Sequence, residues 1–196
     1  MGNVGGIAAQ LLQERGHTIV AISDSKGAWF NAQGLAVKKL LSLKKNGKKL
    51  PKYNLTNAEL LELPVDVLVP AALESQLTKE NAKRVKAKLI LELANGPTTP
   101  EADALLEKRR ISVIPDILAN SGGVAVSYLE WVQNRTGYYW EKQEVHEKLR
   151  KLMTEGLKAV LQEKKSSRTS LKYAAYAVAL RRLERASVLR GTRSIN

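Results

Sequence analysis

Two glycines three residues apart, Gly2 and Gly5, stand directly before an apolar pattern with helical spacing. In the dinucleotide-binding fingerprint G-x-G-x-x-G, glycines permit a tight turn and let the backbone approach a pyrophosphate at a helix N-terminus. Gly2 and Gly5 fit the second and third glycines of that fingerprint. The first glycine and its preceding strand have no counterpart in the sequence. The run predicts a cofactor-binding turn, and a flexible amino terminus is the alternative for so short a motif.

The residues that follow this turn strengthen the prediction. Ile7, Leu11 and Leu12 repeat at helical spacing, and Gly16 stands where a helix stop belongs. Residues 17–23 (HTIVAIS) then have the composition of a strand that ends at Asp24. An acidic residue about twenty positions beyond the glycines binds an adenosine ribose in such units. We therefore predict a ribose contact for Asp24, with a turn or helix cap as the alternative.

The rest of the chain first alternates short apolar runs with helical patterns, and then becomes wholly helical. Predicted helices cover 35–45, 56–61, 79–85 and 98–109, predicted strands cover 65–69, 88–93 and 111–114, and 25–34 is a predicted loop. Three further helices are predicted at 124–134, 140–163 and 170–189, with residues 164–167 separating the last two. The alternation predicts an α/β fold with a Rossmann-like, doubly wound, mostly parallel sheet whose first strand is missing.

This pattern also predicts two domains. Residues 1–134 are predicted to form a nucleotide-binding domain, and residues 135–196 to form helices that pack on it or close onto a second domain. In a doubly wound sheet the first strand lies between two others, so its loss leaves backbone groups unpaired. We therefore expect marginal stability or self-association.

Composition excludes several kinds of site. The 196 residues include no cysteine and two histidines, which removes disulfides and thiolate sites and leaves no histidine cluster for a metal. No apolar run approaches the roughly 20 residues of a membrane span, and no signal-peptide pattern is present. The predicted location is the cytoplasm, with no metal and no membrane contact.

The net charge of +13 raises the hypothesis of nucleic-acid binding. Much of it lies in residues 38–52, which hold seven lysines and no acid, and in the basic residues beyond 141. Few aromatic residues lie between these charges to stack on bases. Solvated faces or subunit contacts are therefore favoured over a nucleic-acid partner.

Longer motifs carry a family resemblance. They are NGPTTPEAD at 95–103, PDILAN at 115–120 and the run 122–134 with GGV, Ser127 and EWVQN, in that order. With GNVG at 2–5, SDS at 23–25 and PAALE at 70–74, they resemble glutamate dehydrogenase of the Glu/Leu/Phe/Val dehydrogenase family. The resemblance covers essentially the whole chain and corresponds to the family's carboxy-terminal NAD(P)-binding part only.

The resemblance implies an oxidoreductase that acts on a CH–NH2 donor. Its reaction converts L-glutamate and water to 2-oxoglutarate and ammonia, with NAD or NADP as hydride acceptor. The family's catalytic lysine and acidic proton-transfer residue belong to an amino-terminal domain with no match here. No catalytic residue is therefore assigned, and the chain is expected to be inactive alone.

The resemblance also implies partners and leaves one alternative. The family assembles as hexamers mainly through the domain without a match, so a homo-oligomer is expected where that domain is present. A noncatalytic dinucleotide-binding or subunit-interaction module is the alternative function.

Roles for individual positions follow from the same resemblance. Pyrophosphate contacts fall to Gly2, Asn3 and Val4, adenosine-ribose contacts to Asp24 and Ser25, backbone contacts with the cofactor to Ala71 and Ala72, nicotinamide contacts to Asn95 and Asn120, and substrate-carboxylate binding to Ser127. Local backbone hydrogen bonds are the alternative for both asparagines, and a bond to a helix carbonyl is the alternative for the serine.

Two positions depart from the expected pattern. Leu93 stands where the family usually carries glycine, so its side chain either crowds the cofactor site or points into the core. Lys26 follows the acidic residue, and a lysine there is suited to a 2′-phosphate, whereas Asp24 is suited to a free 2′-hydroxyl. The choice between NAD and NADP therefore stays open.

Overall fold

The computed structural model describes residues 2–191, and its chain divides into two compact units between Ser112 and Val113. The first unit contains α1 (Asn3–Glu14), β1 (Ala21–Asp24), β2 (Gly27–Phe30), α2 (Val37–Lys45), α3 (Asn57–Leu61), β3 (Val67–Leu68), β4 (Leu89–Leu91) and α4 (Pro100–Lys108). Strand β5 (Ser112–Ile114) spans the division, and α5 (Asp116–Ala119), α6 (Gly122–Thr136), α7 (Lys142–Ser167) and α8 (Leu171–Leu189) follow.

A parallel sheet of order β3-β4-β5 confirms the α/β fold class. Val67 pairs with Leu89 and Leu68 with Ile90. Ile90 is fully buried, as are Leu77 and Leu106. The three strands lie where the sequence predicts them but are shorter, since only two or three residues of each run make ladder hydrogen bonds.

A two-stranded antiparallel sheet corrects the loop predicted at 25–34. Residues of β2 pair with β1 from Asp24–Gly27 to Ala21–Phe30, so the chain turns back at Ser25 and Lys26. The predicted strand at 17–23 is also shifted, because the ladder begins at Ala21 and includes Asp24. Burial explains the hairpin, since Ala28 and Trp29 are 0% and 3% exposed.

Local hydrogen bonds correct two predicted helices. The predicted helix at 79–85 is a series of turns, in which the Asn81 side chain accepts from the Thr78 N–H and donates to the Gln76 carbonyl. Helix α4 is capped one residue later than predicted. Its cap is Thr99, whose Oγ1 accepts from the Ala102 N–H, whereas Thr98 is buried. By contrast, the helix predicted at 56–61 is present and begins with a capping box formed by Thr56 and Glu59.

The second unit joins α7 and α8 through a buried carboxylate. Helix α7 continues through the predicted break at 164–167 and is capped by Arg168, whose φ is +51°. Glu163 is 8% exposed and accepts from both Arg181 on α8 and Ser167. Those two donors hold the pKa of Glu163 below its ordinary value of 4.5. The ion pair therefore stabilises the helix pair while Glu163 is charged.

Glu163→Gln is expected to lower the Tm at neutral pH, because Arg181 loses its charged partner. A carboxyl group with a lowered folded-state pKa contributes stability above its unfolded pKa and loses it as pH falls through the folded value. The Tm difference from the unsubstituted chain should therefore be full at pH 7 and shrink below about pH 4.5. Thermal unfolding against pH measures this difference. Glu155→Gln, on the exposed side of α7, is the control, and a pH-independent difference contradicts the account.

Candidate functional site

The amino terminus of α1 presents backbone donors at the predicted cofactor turn. Gly2 is the N-cap with extended backbone, and its carbonyl accepts from the Gly6 N–H at 2.9 Å. The N–H groups of Asn3, Val4 and Gly5 precede that first intrahelical bond. Such groups, together with the helix dipole, favour an anion at this end of a helix. The geometry is suited to binding a pyrophosphate.

Helix α1 begins against the segment that follows β3. A Cβ placed on Gly5 would lie 3.4 Å from the Ala71 Cβ, so the helix and this segment are in close contact. The preceding residue, Pro70, accepts from the N–H groups of Leu93 at 2.9 Å and Ala94 at 3.0 Å. The structure therefore brings the glycine turn and Ala71 together and joins the carboxyl ends of β3 and β4.

Asn95 and Ala72 are exposed at these same strand ends. Gly96, next to Asn95, has φ +53°, and its carbonyl accepts from the Ser75 N–H at 2.9 Å. Asn95 is thus presented by a tight turn that is anchored to the β3 side. The Leu93 side chain is partly buried here. Its effect on a cofactor stays a prediction.

The carboxylate of Asp24 is held at the end of β1. Its Oδ1 accepts from the Lys26 N–H at 3.0 Å, and its Oδ2 accepts from the Tyr53 hydroxyl at 3.1 Å. The Asp24 carbonyl accepts from Asn57 Nδ2 at 2.9 Å. The bond from the Lys26 N–H to Oδ1 is the turn cap that was given above as the alternative to a ribose contact. With this bond in place, the carboxylate is still partly exposed and open to a further ligand.

Opposing effects act on the ionisation of Asp24. Partial burial acts to raise its pKa, but the hydrogen bonds from Lys26 and Tyr53 and the charge of Lys44 outweigh burial, so the pKa lies below the ordinary value of 3.8. Burial and the same hydrogen bond raise the pKa of Tyr53. Asp24 is therefore an anion, and Tyr53 a neutral donor, at neutral pH.

Asn120 and Ser127 belong to the second unit. Asn120 ends α5, where its N–H donates to the Asp116 carbonyl at 3.0 Å and its carbonyl accepts from the Gly123 N–H at 3.2 Å. Ser127 is exposed on α6, and its Oγ donates to the Gly123 carbonyl at 3.3 Å. The bond to a helix carbonyl, given above as the alternative for Ser127, is thus present, whereas both of these Asn120 bonds are made by its backbone. The Ser127 Oγ can still accept a further hydrogen bond.

Tyr53 and Asn57 were missed by the sequence analysis. Both contact Asp24 from more than twenty residues away along the chain, Tyr53 from the segment between α2 and α3 and Asn57 from the start of α3. No local pattern marks such contacts. Ser25, predicted beside Asp24, is exposed in the hairpin turn.

Two kinds of arrangement are absent from residues 2–191. No group of three or more His, Asp or Glu side chains in this range is arranged to hold a metal ion. No helix in the same part of the chain is long and apolar enough to cross a membrane.

Dinucleotide-binding domains typically combine three features within an α/β fold. These are a helix that begins at a glycine, a small residue after a parallel strand, and an acidic residue at the end of another strand. The model of the glutamate/leucine/phenylalanine/valine dehydrogenase family matches residues 1–191. The chain belongs to this family, which confirms the resemblance drawn from the motifs.

Curated relatives agree with the family model. The glutamate dehydrogenase of Thermotoga maritima is 47% identical over 97% of this chain and 47% of its own length. A cryptic catabolic NAD-specific glutamate dehydrogenase of Bacillus subtilis is 42% identical over 97% of this chain and 45% of its own length, and an NADP-specific one of Synechocystis is 43% identical over 98% and 48%. The chain therefore spans about half the length of these relatives.

Solved structures show the same partial match. A hetero-hexameric glutamate dehydrogenase of Thermus thermophilus, in its leucine-bound form, superposes with a TM-score of 0.93 at 35% identity, over 98% of this chain and 46% of that one. The glutamate dehydrogenase of Peptoniphilus asaccharolyticus gives 0.81 at 39% identity, over 98% and 46%.

Gly5→Val is expected to lower the free energy of unfolding by about 1–3 kcal/mol, because its methyl groups extend beyond a Cβ already in contact with Ala71. Gly5→Ala is the matched variant. It fits at 3.4 Å and removes a helical glycine, so stability should be unchanged or higher. Chemical denaturation measures both. Equal stability of the two variants would show that the helix does not pack closely on Ala71.

Proposed function

We propose that this chain is the cofactor-binding portion of an NAD(P)-dependent glutamate dehydrogenase. The whole reaction converts L-glutamate, water and NAD(P)+ to 2-oxoglutarate, ammonia and NAD(P)H. The single observation that carries the proposal is the contact of the α1 amino terminus with Ala71, within a chain that belongs to this dehydrogenase family. The contact supports a cradle for a phosphate group lined by backbone rather than by bulky side chains.

The residues of the first unit are suited to the adenosine and pyrophosphate parts of a dinucleotide. The N–H groups of Asn3 and Val4, capped by Gly2, would meet the pyrophosphate without a side chain in the way. The Asp24 carboxylate and the neighbouring Ser25 would accept and donate hydrogen bonds at the adenosine ribose. Ala71 and Ala72 would leave room for the cofactor against the backbone at the strand end.

Three further residues would act at the nicotinamide and substrate. Asn95 and Asn120 would hydrogen-bond the nicotinamide ribose or amide, and Ser127 would hold the side-chain carboxylate of glutamate. A bound cofactor supplies the acceptor for the hydride that leaves the amino acid. The residues named here bind and orient, and none of them is assigned a proton-transfer step.

The cofactor class is NAD or NADP. Relatives at similar identity are specific for one or the other, the Bacillus enzyme for NAD and the Synechocystis enzyme for NADP. Support for a binding role also comes from Asp24, whose anionic carboxylate is suited to a ribose diol. The alternative function is a noncatalytic dinucleotide-binding or subunit-interaction module, which retains the cradle without serving turnover.

Calorimetric titration of the purified chain with NAD and with NADP is expected to show saturable binding of at least one. Asp24→Asn should weaken NAD binding about tenfold, since a hydrogen bond to a charged group is replaced by one to a neutral group. Asp66→Asn is the matched control, because Asp66 is an 82%-exposed carboxylate paired with Lys88. Binding of neither nucleotide, or equal loss in both variants, would contradict the proposal.

No glutamate oxidation is expected from the purified chain alone. The reaction needs cofactor and amino acid held together in a fixed geometry. The proton-transfer residues implied by the family resemblance have no matching positions in this sequence. Spectrophotometry of NAD(P)H formation at saturating glutamate measures the rate. Turnover above a protein-free blank would contradict this expectation while leaving cofactor binding supported.

A further inference from the structure

The ring of Tyr53 lies over the β1-β2 hairpin in a fixed place. A Cβ placed on Gly27 would be 2.9 Å from the Tyr53 Cγ, so the ring packs where any other residue at position 27 would carry its side chain. The ring centroid lies 4.7 Å from that of Trp29, with the planes tilted by 37°. Because Trp29 is itself buried, Tyr53 packs on a rigid base.

The segment that carries Tyr53 is tied to the same hairpin on both sides. Before it, the Pro51 carbonyl accepts from Trp29 Nε1 at 2.9 Å. After it, Asn54 exchanges two hydrogen bonds with the backbone of Phe30, at 2.8 and 2.9 Å. These bonds leave the tyrosine little freedom to swing away from the hairpin turn.

The phenol reaches the carboxylate that the proposed function assigns to the adenosine ribose. Tyr53 donates to Oδ2 of Asp24, and the Lys26 N–H donates to Oδ1. Each carboxylate oxygen thus accepts one bond from the protein, which fixes the plane of the group. A carboxylate oxygen has a second lone-pair site. Both oxygens therefore retain one acceptor position for a ligand.

We propose that Tyr53 is a positioning residue that orients the Asp24 carboxylate towards the 2′,3′-diol of an adenosine ribose and thereby favours NAD over NADP. The inference rests on the proposed function, which places the adenosine at Asp24. A diol offers two O–H donors, and a carboxylate of fixed orientation offers two matching acceptors. Ordering the carboxylate beforehand removes part of the entropy cost of binding.

The same fixed carboxylate opposes a 2′-phosphate. A phosphate monoester carries close to two negative charges at neutral pH, and an anion held against it is repulsive. The charge of Lys44 acts on Asp24, and Lys26 is the exposed lysine two residues further along in the hairpin turn. Without the tyrosine hydroxyl, the Asp24 side chain can rotate away and expose a 2′-phosphate to these lysines, so the discrimination should fall.

Tyr53→Phe removes the hydroxyl and keeps the ring on Trp29. We expect NAD to bind about five- to tenfold more weakly and NADP to bind unchanged or more tightly, in calorimetric titrations of the full 196-residue chain. The carboxyl 13C resonance of Asp24 should report a higher pKa once the Tyr53 bond is lost. Tyr173→Phe, at a 69%-exposed tyrosine on α8, is the matched control and should change neither quantity.

A second variant disturbs the hydrogen bond between Tyr53 and Asp24 without removing the hydroxyl. Gly27→Ala keeps the hydroxyl but places a Cβ against the Tyr53 ring, so it should displace the phenol and reduce NAD preference in the same direction. If both variants reduce the preference for NAD, the preference depends on where the Tyr53 hydroxyl lies and not only on whether it is present.

Three results would overturn the inference. One is an unchanged ratio of NAD to NADP affinity in Tyr53→Phe, and another is equal weakening of both nucleotides with a lower Tm, which indicates a structural role only. The third is an unshifted Asp24 pKa. Failure of the proposed function is a separate outcome, namely that the unsubstituted chain binds neither nucleotide, and the inference then fails with it.

Discussion

The buried indole of Trp29 is the constraint on which the adenosine end of the candidate site depends. At 3% exposure it must satisfy its one N–H inside the protein, and the bond to the Pro51 carbonyl does so. That bond draws residues 51–55 across the β1-β2 hairpin, which places Tyr53 over Gly27 and its hydroxyl on Asp24. The orientation of the partly exposed Asp24 carboxylate therefore depends on the hydrogen bond that satisfies the buried Trp29 N–H.

A second constraint acts where the strands of the parallel sheet end. One carbonyl, that of Pro70, accepts two N–H groups from the segment after β4, and α1 begins in contact with Ala71. Small residues and backbone therefore meet at this place, which is the arrangement suited to a ligand that binds through phosphate groups. The chain spans about half the length of its relatives. The role proposed for the residues named above is to bind and orient the cofactor and the amino acid.

Sequence reasoning succeeded where the signal is local and failed where it is not. The helix at Asn57 was predictable because Thr56 and Glu59 form both halves of a capping box within four residues. The hairpin strand Gly27–Phe30 was missed, since four residues give no periodicity and its strand character comes from pairing with β1 and, at Ala28, with Leu55. The candidate site divides in the same way. The spacing from the glycines proposes Asp24 as a ribose contact, which stays a prediction, whereas the Tyr53 bond joins residues 29 apart and leaves no pattern in the sequence.

We propose that the first unit binds a dinucleotide at the α1 amino terminus and at Asp24. Amide chemical-shift mapping of the 15N-labelled chain on addition of NAD tests it most directly, because each backbone N–H reports its own surroundings. The account predicts that the largest shifts fall on Asn3, Val4, Lys26 and Ala71. Shifts confined to α7 and α8, or none at saturating NAD, would contradict it.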